Sequence, residues 1–439
     1  MSALTAVSLE SPVPYRNFFR YPPPVLDPDP RPDAVAAQLG LDDNVSFKTP
    51  LTVFVATPYC RVRCHSCPYF RTIIPHSTTF NSELTAYVSS LVRQARAFGS
   101  TNRYRRQFCG AVYFGGGTAS LLSKEHLSLL IESLTDSFTL NENSEITLEG
   151  NPHDFDRGYL TAVRELGVTR ISMGLQSFQP TVLRALNSPH TAEEGHLAVA
   201  NALDIGIDTV NIDLLFRVPG QSFEQWRADI GRALALRPQG ITMYRYVVHA
   251  ASVSEHLIDA GRLSVQPSLD EAHTWYCWAR EALTANGYVE RRKGGFSLPG
   301  HIQQYGELTY GRRAELVGIG TNSYGYANSR QWISPPTAEE FIAKDQAGQF
   351  PILAKISRKA TERLLMERFI IFGFMRSTID RCDFYNEFHE DICDRFAERL
   401  LRLESAGLIR ITERTVELTD LGEAAREHVQ DAFFAPDDI

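Results

Sequence analysis

Six short apolar runs, each of strand length, recur along the chain and constrain its fold more than any other feature. They are LTVFVATPY from Leu51, GAVYFGG from Gly110, SEITLEG from Ser144, TRISMGLQS from Thr169, TVNIDLLFRVPG from Thr209 and GITMYRYVVH from Gly240. The stretches between them carry helical periodicity, as in Leu127, Leu130, Ile131 and Leu134, or Leu160, Val163 and Leu166. Strands that alternate with helices form βαβ units and a parallel sheet, so the fold class is α/β. Several runs are apolar throughout rather than at alternate positions, as expected of strands covered on both faces. Periodicity alone leaves an open sheet and a curled barrel as alternatives.

Directly after the first run comes Cys60-Arg-Val-Arg-Cys64-His-Ser-Cys67, a C-x3-C-x2-C sequence. Thiolates are the usual ligands of iron–sulfur clusters, normally four to a [4Fe–4S] cube. Three cysteines would leave one iron open, and an open coordination position is what a catalytic metal centre needs. A zinc knuckle completed by His65 or a distant cysteine is the alternative, but neither paired C-x2-C units nor a His-x3–5-His accompanies the triplet. The remaining Cys109, Cys277, Cys382 and Cys393 are scattered and read as small buried hydrophobes.

The ends of the other runs are polar or glycine-rich. The second closes in Gly115-Gly116-Gly117-Thr118, where backbone amides can approach a ligand closely. Glu149, Gln176 and Asp213 stand near the ends of the third, fourth and fifth. In parallel β/α folds that rim is where ligands bind.

Residues 1–48 are proline-rich, with a short helical stretch, and read as an N-terminal arm; 49–330 form the expected catalytic domain. From about 355 the texture turns helical, and IRITERTVELT reads as a hairpin, so 331–439 are expected to be a smaller helical, winged-helix-like lid domain. A net charge of −8 argues against a general nucleic-acid binder. No apolar run reaches the roughly 18 residues of a membrane span, and the N-terminus lacks a signal-peptide layout, so a cytoplasmic protein is expected.

Taken in order, C-x3-C-x2-C, VYFGGGT, EGNP, ISMGLQSF with PHTAEE, and NIDLLFRVPG resemble the oxygen-independent coproporphyrinogen III dehydrogenase-like branch of radical S-adenosylmethionine (SAM) enzymes. The resemblance runs from about residue 50 to 330. It implies a partial (β/α)6 barrel, a [4Fe–4S] cluster on Cys60, Cys64 and Cys67, and SAM cleaved there to a 5′-deoxyadenosyl radical. It assigns Phe54, Gly116, Gly117 and Thr118 to the cluster-bound SAM, and Glu149, Gln176 and Asp213 to that SAM or a second one. Tyr244, Tyr246 and Val247 would line the second site, with Tyr69 and Asp213 as the catalytic candidates.

Three departures from the dehydrogenase pattern stand out. Tyr69 occupies the place of a fourth cysteine, Phe54 and Ala56 replace a tyrosine and a histidine, and Ser188 replaces an arginine. They favour the class C methyltransferases of this family, in which a second SAM donates a methylene to an sp2 carbon of a small-molecule or natural-product substrate. A porphyrin-acting dehydrogenase and a haem-binding chaperone are the alternatives. Each reading carries a one-electron donor such as flavodoxin or ferredoxin as partner.

Overall fold

The computed structural model describes residues 31–47, 49–67, 72–74, 80–105, 107–248 and 253–434. Most of the N-terminal arm, and Tyr69 with it, lies outside the described residues. All six apolar runs are strands: β1 (Leu51–Thr57), β2 (Cys109–Gly116), β3 (Glu145–Gly150), β4 (Arg170–Gln176), β5 (Thr209–Phe216) and β6 (Gly240–Arg245). They lie side by side in chain order, each parallel to the next, as the helical crossovers between them allow. β1 and β6 do not pair with each other. The hairpin β7 (Val289–Arg292) and β8 (Gly295–Ser297) adds antiparallel to β6. On the other side β9 (Leu316–Ile319) adds parallel to β1, followed by antiparallel β10 (Tyr324–Ala327), β11 (Arg330–Ile333) and β12 (Lys355–Ile356). The six strands are thus the middle of a 12-stranded mixed sheet rather than a closed ring.

The two faces of this sheet differ in chemistry. Val53, Val55, Val112, Phe114, Leu148, Ile171, Met173, Val210, Ile212 and Ile241 are buried in the main core, under the helices. The alternate positions carry Phe54, Tyr113, Glu149, Arg170, Asp213 and Tyr244. Helix α1 (Pro32–Leu39) joins that core through Val35 and Leu39. The covering helices are α2 (Phe80–Ser100), α3 (Lys124–Ser137), α4 (Arg157–Glu165), α5 (Ala192–Ile205), α6 (Phe223–Leu236) and α7 (Leu269–Ala285). Side-chain caps start them where the sequence supplies Ser or Thr, with full capping boxes at Thr191/Glu194, Ser222/Gln225 and Ser268/Glu271.

The sheet continues past residue 331, so the division expected there falls inside it; Trp332 and Phe341 are buried in the main core. A separate apolar cluster, from Met366 to Phe433, gathers α8 (Glu362–Met375), α9 (Arg381–Phe388) and α10 (Ala397–Ser405). Its strand β13 (Thr378–Asp380) pairs with the hairpin β14 (Ile409–Ile411) and β15 (Thr415–Leu418), the hairpin expected from IRITERTVELT. Buried Arg368 of α8 ties this cluster to the sheet, its guanidinium 4.0 Å from the Tyr326 ring centre and 4.2 Å from that of Phe372. Among the described residues no helix is long and apolar enough to cross a membrane.

Candidate active site

The chain leaves β1 at Thr57, and Tyr59–Cys60 immediately pairs with Thr72–Ile73, which brackets the cysteine loop. Cys60 is buried, whereas Cys64 and Cys67 are partly exposed. The loop is held from outside itself. His65 donates its backbone amide to the Leu186 carbonyl and its Nδ1 to the Ala185 carbonyl, each at 2.9 Å. Asn187 Nδ2 donates to the Arg63 carbonyl at 3.0 Å. His65 is therefore an anchor onto the segment after β4, which removes the basis for reading its Nδ1 as a zinc ligand.

The glycine turn at the end of β2 is clamped against the first cysteine. Gly117 donates to the Thr57 carbonyl at 2.6 Å, and Thr118 to the Tyr59 carbonyl at 2.9 Å. The Thr118 hydroxyl reaches Cys60 Sγ at 3.4 Å. A β-carbon on Gly117 would stand 2.5 Å from the Tyr59 carbonyl oxygen and 2.8 Å from that of Thr57. Gly116 has φ +105°, a conformation that side chains rarely adopt. The glycines thus serve a close backbone approach as well as any ligand. A hydroxyl donated to a sulfur is the kind of contact that tunes a thiolate-held cluster. Among the described residues no three ligating side chains are gathered as around a metal, so the fit to a cube rests on the number and spacing of the thiols on one loop.

Below this rim the inner sheet face is lined by rings and charges. Phe54 stacks on Tyr113 at 5.9 Å between ring centres, and Tyr113 packs on Tyr305 at 5.0 Å. Asp213 accepts from Asn211 Nδ2 at 2.9 Å, while Asn211 also donates to Ser172 Oγ at 3.0 Å and accepts from Thr242 Oγ1 at 3.1 Å. Burial raises the Asp213 carboxyl above its usual range, opposed by Arg170, Asn211 and Arg292. Tyr244 opens onto the interior space with 46% of its surface accessible, yet surrounding protein and Asp213 push its phenol up. Gln176 ends β4 at φ 66°, and its amide lies over Gly174.

Not every expected site residue converges. Phe54, Glu149, Gln176, Asp213 and Tyr244 share the inner face, and Cys60, Gly116, Gly117 and Thr118 share the rim above it. Tyr246 is only 3% exposed and packs with Val182, Leu186, Leu215 and Val218 in a separate cluster. Its hydroxyl bonds to Ser254 Oγ, which donates to the His65 carbonyl at 3.2 Å, so Tyr246 supports the cysteine loop instead. Val247 is exposed at 41%.

Four residues with site roles escaped the sequence reading. His190 of the PHT motif is buried, and burial pulls its imidazole down to about 4. Its Nε2 meets the Leu175 carbonyl at 2.9 Å; a carbonyl only accepts, so Nε2 carries the proton and Nδ1 accepts from Ser188 at 3.1 Å. Asp229 accepts from Ser177 Oγ at 2.6 Å, the Phe178 amide at 2.8 Å and Gln179 Nε2 at 3.2 Å, fixing the turn that follows Gln176. Arg170 and Tyr113 complete the four. Only the alternation of polar positions within the apolar runs could have revealed the last two.

Asp229 yields a pH prediction. Burial raises its carboxyl to about 6, above the ordinary 3.8. The stability it contributes is fully present below the ordinary value and is lost as pH rises through about 6. The fall in melting temperature over that window should be smaller in Asp229→Asn than in the parent, measured side by side. At neutral pH the same substitution leaves donors unmatched and should cost about 1–3 kcal/mol.

Residues 54–232 match the family model of the Radical SAM superfamily. The chain is 24% identical over 394 residues to the heme chaperone HemW of Lactococcus lactis subsp. lactis (strain IL1403), covering 89% of this chain and 99% of the relative. It is 24% identical over 384 residues to that of Bacillus subtilis (strain 168), covering 87% and 98%. It is 26% identical over 405 residues to the oxygen-independent coproporphyrinogen III oxidase of Synechocystis sp. (strain ATCC 27184 / PCC 6803 / Kazusa), covering 88% and 85%. Among solved structures, the coproporphyrinogen III oxidase HemN of Escherichia coli superposes with a TM-score of 0.78 at 21% identity, covering 94% of this chain and 96% of the other.

Proposed function

We propose that this chain, whose 54–232 segment carries the Radical SAM superfamily match, binds a [4Fe–4S] cluster through Cys60, Cys64 and Cys67 and handles a tetrapyrrole beside it. When bound, the reduced cluster supplies the electron that cleaves SAM to methionine and a 5′-deoxyadenosyl radical. The observation that carries the reading is the clamp of the glycine turn onto the Cys60 strand, directly above an inner face walled by Phe54, Tyr113, Tyr244 and Tyr305. Thr118 would steady the Cys60 sulfur, and the backbone around Gly116 and Gly117 would receive the methionine end of SAM. Ring faces of that size suit a flat conjugated ligand. An electron donor of the flavodoxin or ferredoxin type would reduce the cluster.

The sequence alone put methyl transfer with two SAM molecules first. Relatives spanning nearly the whole chain are named as heme chaperones or as a coproporphyrinogen oxidase, and this moves tetrapyrrole handling ahead. The two-SAM reading also loses Tyr246 as a wall of the second site. It keeps one observation in its favour: Phe54 has no hydroxyl, and it lies stacked on Tyr113 at the place of the dehydrogenase tyrosine.

One experiment separates the two. Anaerobically reconstituted protein is titrated with haem, then turned over with reductant and SAM labelled CD3 on its methyl. A Soret band saturating at about one haem per chain, with deuterium-free 5′-deoxyadenosine, is expected. Absence of the band, together with one deuterium in 5′-deoxyadenosine and formation of S-adenosylhomocysteine, would overturn the proposal in favour of methyl transfer.

A further inference from the structure

Arg170 opens β4 on its inner face and is only 5% exposed. Its Nη1 is fully enclosed without an acceptor, and among the described residues the guanidinium has no hydrogen-bond or ion-pair partner. A buried cation left so costs several kcal/mol in general, which evolution tolerates where a ligand completes the pair. Arg368, the other deeply buried arginine of this region, has its cation placed on two ring faces; Arg170 has none.

The surroundings say what would complete it. Arg170 shares its strand face with Ser172, which lies beside Asn211 and Asp213 on β5. The charge of Arg170 acts on Asp213, Tyr113 and Tyr244, all on the inner face. Arg292, at the end of β7, acts on Asp213 and Tyr244 from the side of β6 and is likewise without a hydrogen-bond or ion-pair partner among the described residues. Two guanidiniums without a hydrogen-bond or ion-pair partner among the described residues thus act on one carboxylate on the inner face.

We infer that Arg170, assisted by Arg292, binds a carboxylate on a flat conjugated ligand held within the sheet's inner face. The planar fork of a guanidinium matches a carboxylate in bidentate fashion, and the rings of Phe54, Tyr113 and Tyr244 take up the conjugated part. This rests on the tetrapyrrole reading above and names the group on the ligand that the protein grips.

The test uses the full reconstituted chain and two acid–ester pairs: protoporphyrin IX with its dimethyl ester, and 2-naphthoate with its methyl ester. The parent should bind each acid about 10- to 100-fold more tightly than its ester, as a charge-assisted hydrogen bond implies. Arg170→Met should abolish that preference, Arg170→Lys should keep part of it, and Arg292→Met should weaken it less. Without ligand, Arg170→Met should raise the Asp213 carboxyl further, because it removes a cation that opposes the effect of burial there. Equal affinity for acid and ester in the parent, or an undiminished preference for the acid in Arg170→Met, overturns the inference. If the parent prefers 2-naphthoate to its ester but binds neither porphyrin, the tetrapyrrole reading fails and the role of Arg170 stands.

Discussion

Alanine at any one of Cys60, Cys64 and Cys67 is expected to leave anaerobically reconstituted protein colourless, where the parent is expected to hold about four irons per chain. With two thiolates left on the loop, too few ligands remain for a cube, and the loss should be nearly complete rather than graded. The other cysteines are the controls. Cys109 is fully buried on β2, its thiol donates to the Ala111 carbonyl at 3.3 Å, and burial pushes it up to about 12. A thiol held protonated in the core is a poor ligand. Cys277, Cys382 and Cys393 stand on α7, α9 and the short helix Ile392–Arg395, away from the β1 loop. Alanine at each of the four should preserve the brown absorbance and the iron content. An indispensable cysteine among them would mean that the cube has a fourth protein ligand, and the open-iron chemistry would then be lost.

Valine at Gly117 should have the second-largest effect, for a reason that only the structure supplies. From the motif alone, a side chain on the glycine turn intrudes on SAM and spares the cluster. In the structure it meets the Tyr59 and Thr57 carbonyl oxygens, at 2.5 Å and 2.8 Å from the β-carbon alone. Thr57 ends β1 and Tyr59 directly precedes Cys60, so relief of the clash moves the cysteine and breaks the contact from Thr118 to its sulfur. Iron content and 5′-deoxyadenosine formation should fall together, the latter by about 100-fold, the scale for a displacement of about 1 Å at a reacting centre. Gly231→Ala is the control, since it lies in α6 with open space around it and should if anything stabilise the helix. Full cluster assembly with undiminished SAM cleavage in Gly117→Val would show that the turn and the cysteine loop are independent.

Much of the site was legible because its parts follow strand ends. Cys60, Gly116, Gly117 and Thr118 fall at or just after an apolar run, Glu149 and Gln176 near the end of theirs and Asp213 within its own; parallel strands in chain order bring the first four to one rim and the other three to the inner face below it. Tyr246 was misplaced because it lies beyond the end of β6, where strand alternation no longer says which way a side chain turns. PHTAEE is in the sequence only a mark of the family resemblance; in the structure Thr191 and Glu194 form the capping box of α5, and His190 holds the end of β4 through the Leu175 carbonyl. A motif shows that residues are wanted together without showing whether a ligand or a helix wants them.

The amino-acid sequence by itself determined the six strands, their parallel order, the cysteine loop behind the first and the chemistry that three thiols on one loop allow. These follow from local periodicity, spacing and ligand preference, which need no knowledge of distant contacts. The tertiary structure alone decided how the sheet is extended at both sides and that Gly117 presses on the backbone before Cys60. It also decided that His65 and Tyr246 brace the loop, and that Arg170 is buried without a partner. Each of these depends on residues far apart in the chain meeting across strands: Gly117 meets Thr57, His65 meets Ala185, and Arg170 faces Asp213. The cost of a buried charge, or of an added β-carbon, appears only when that meeting is known.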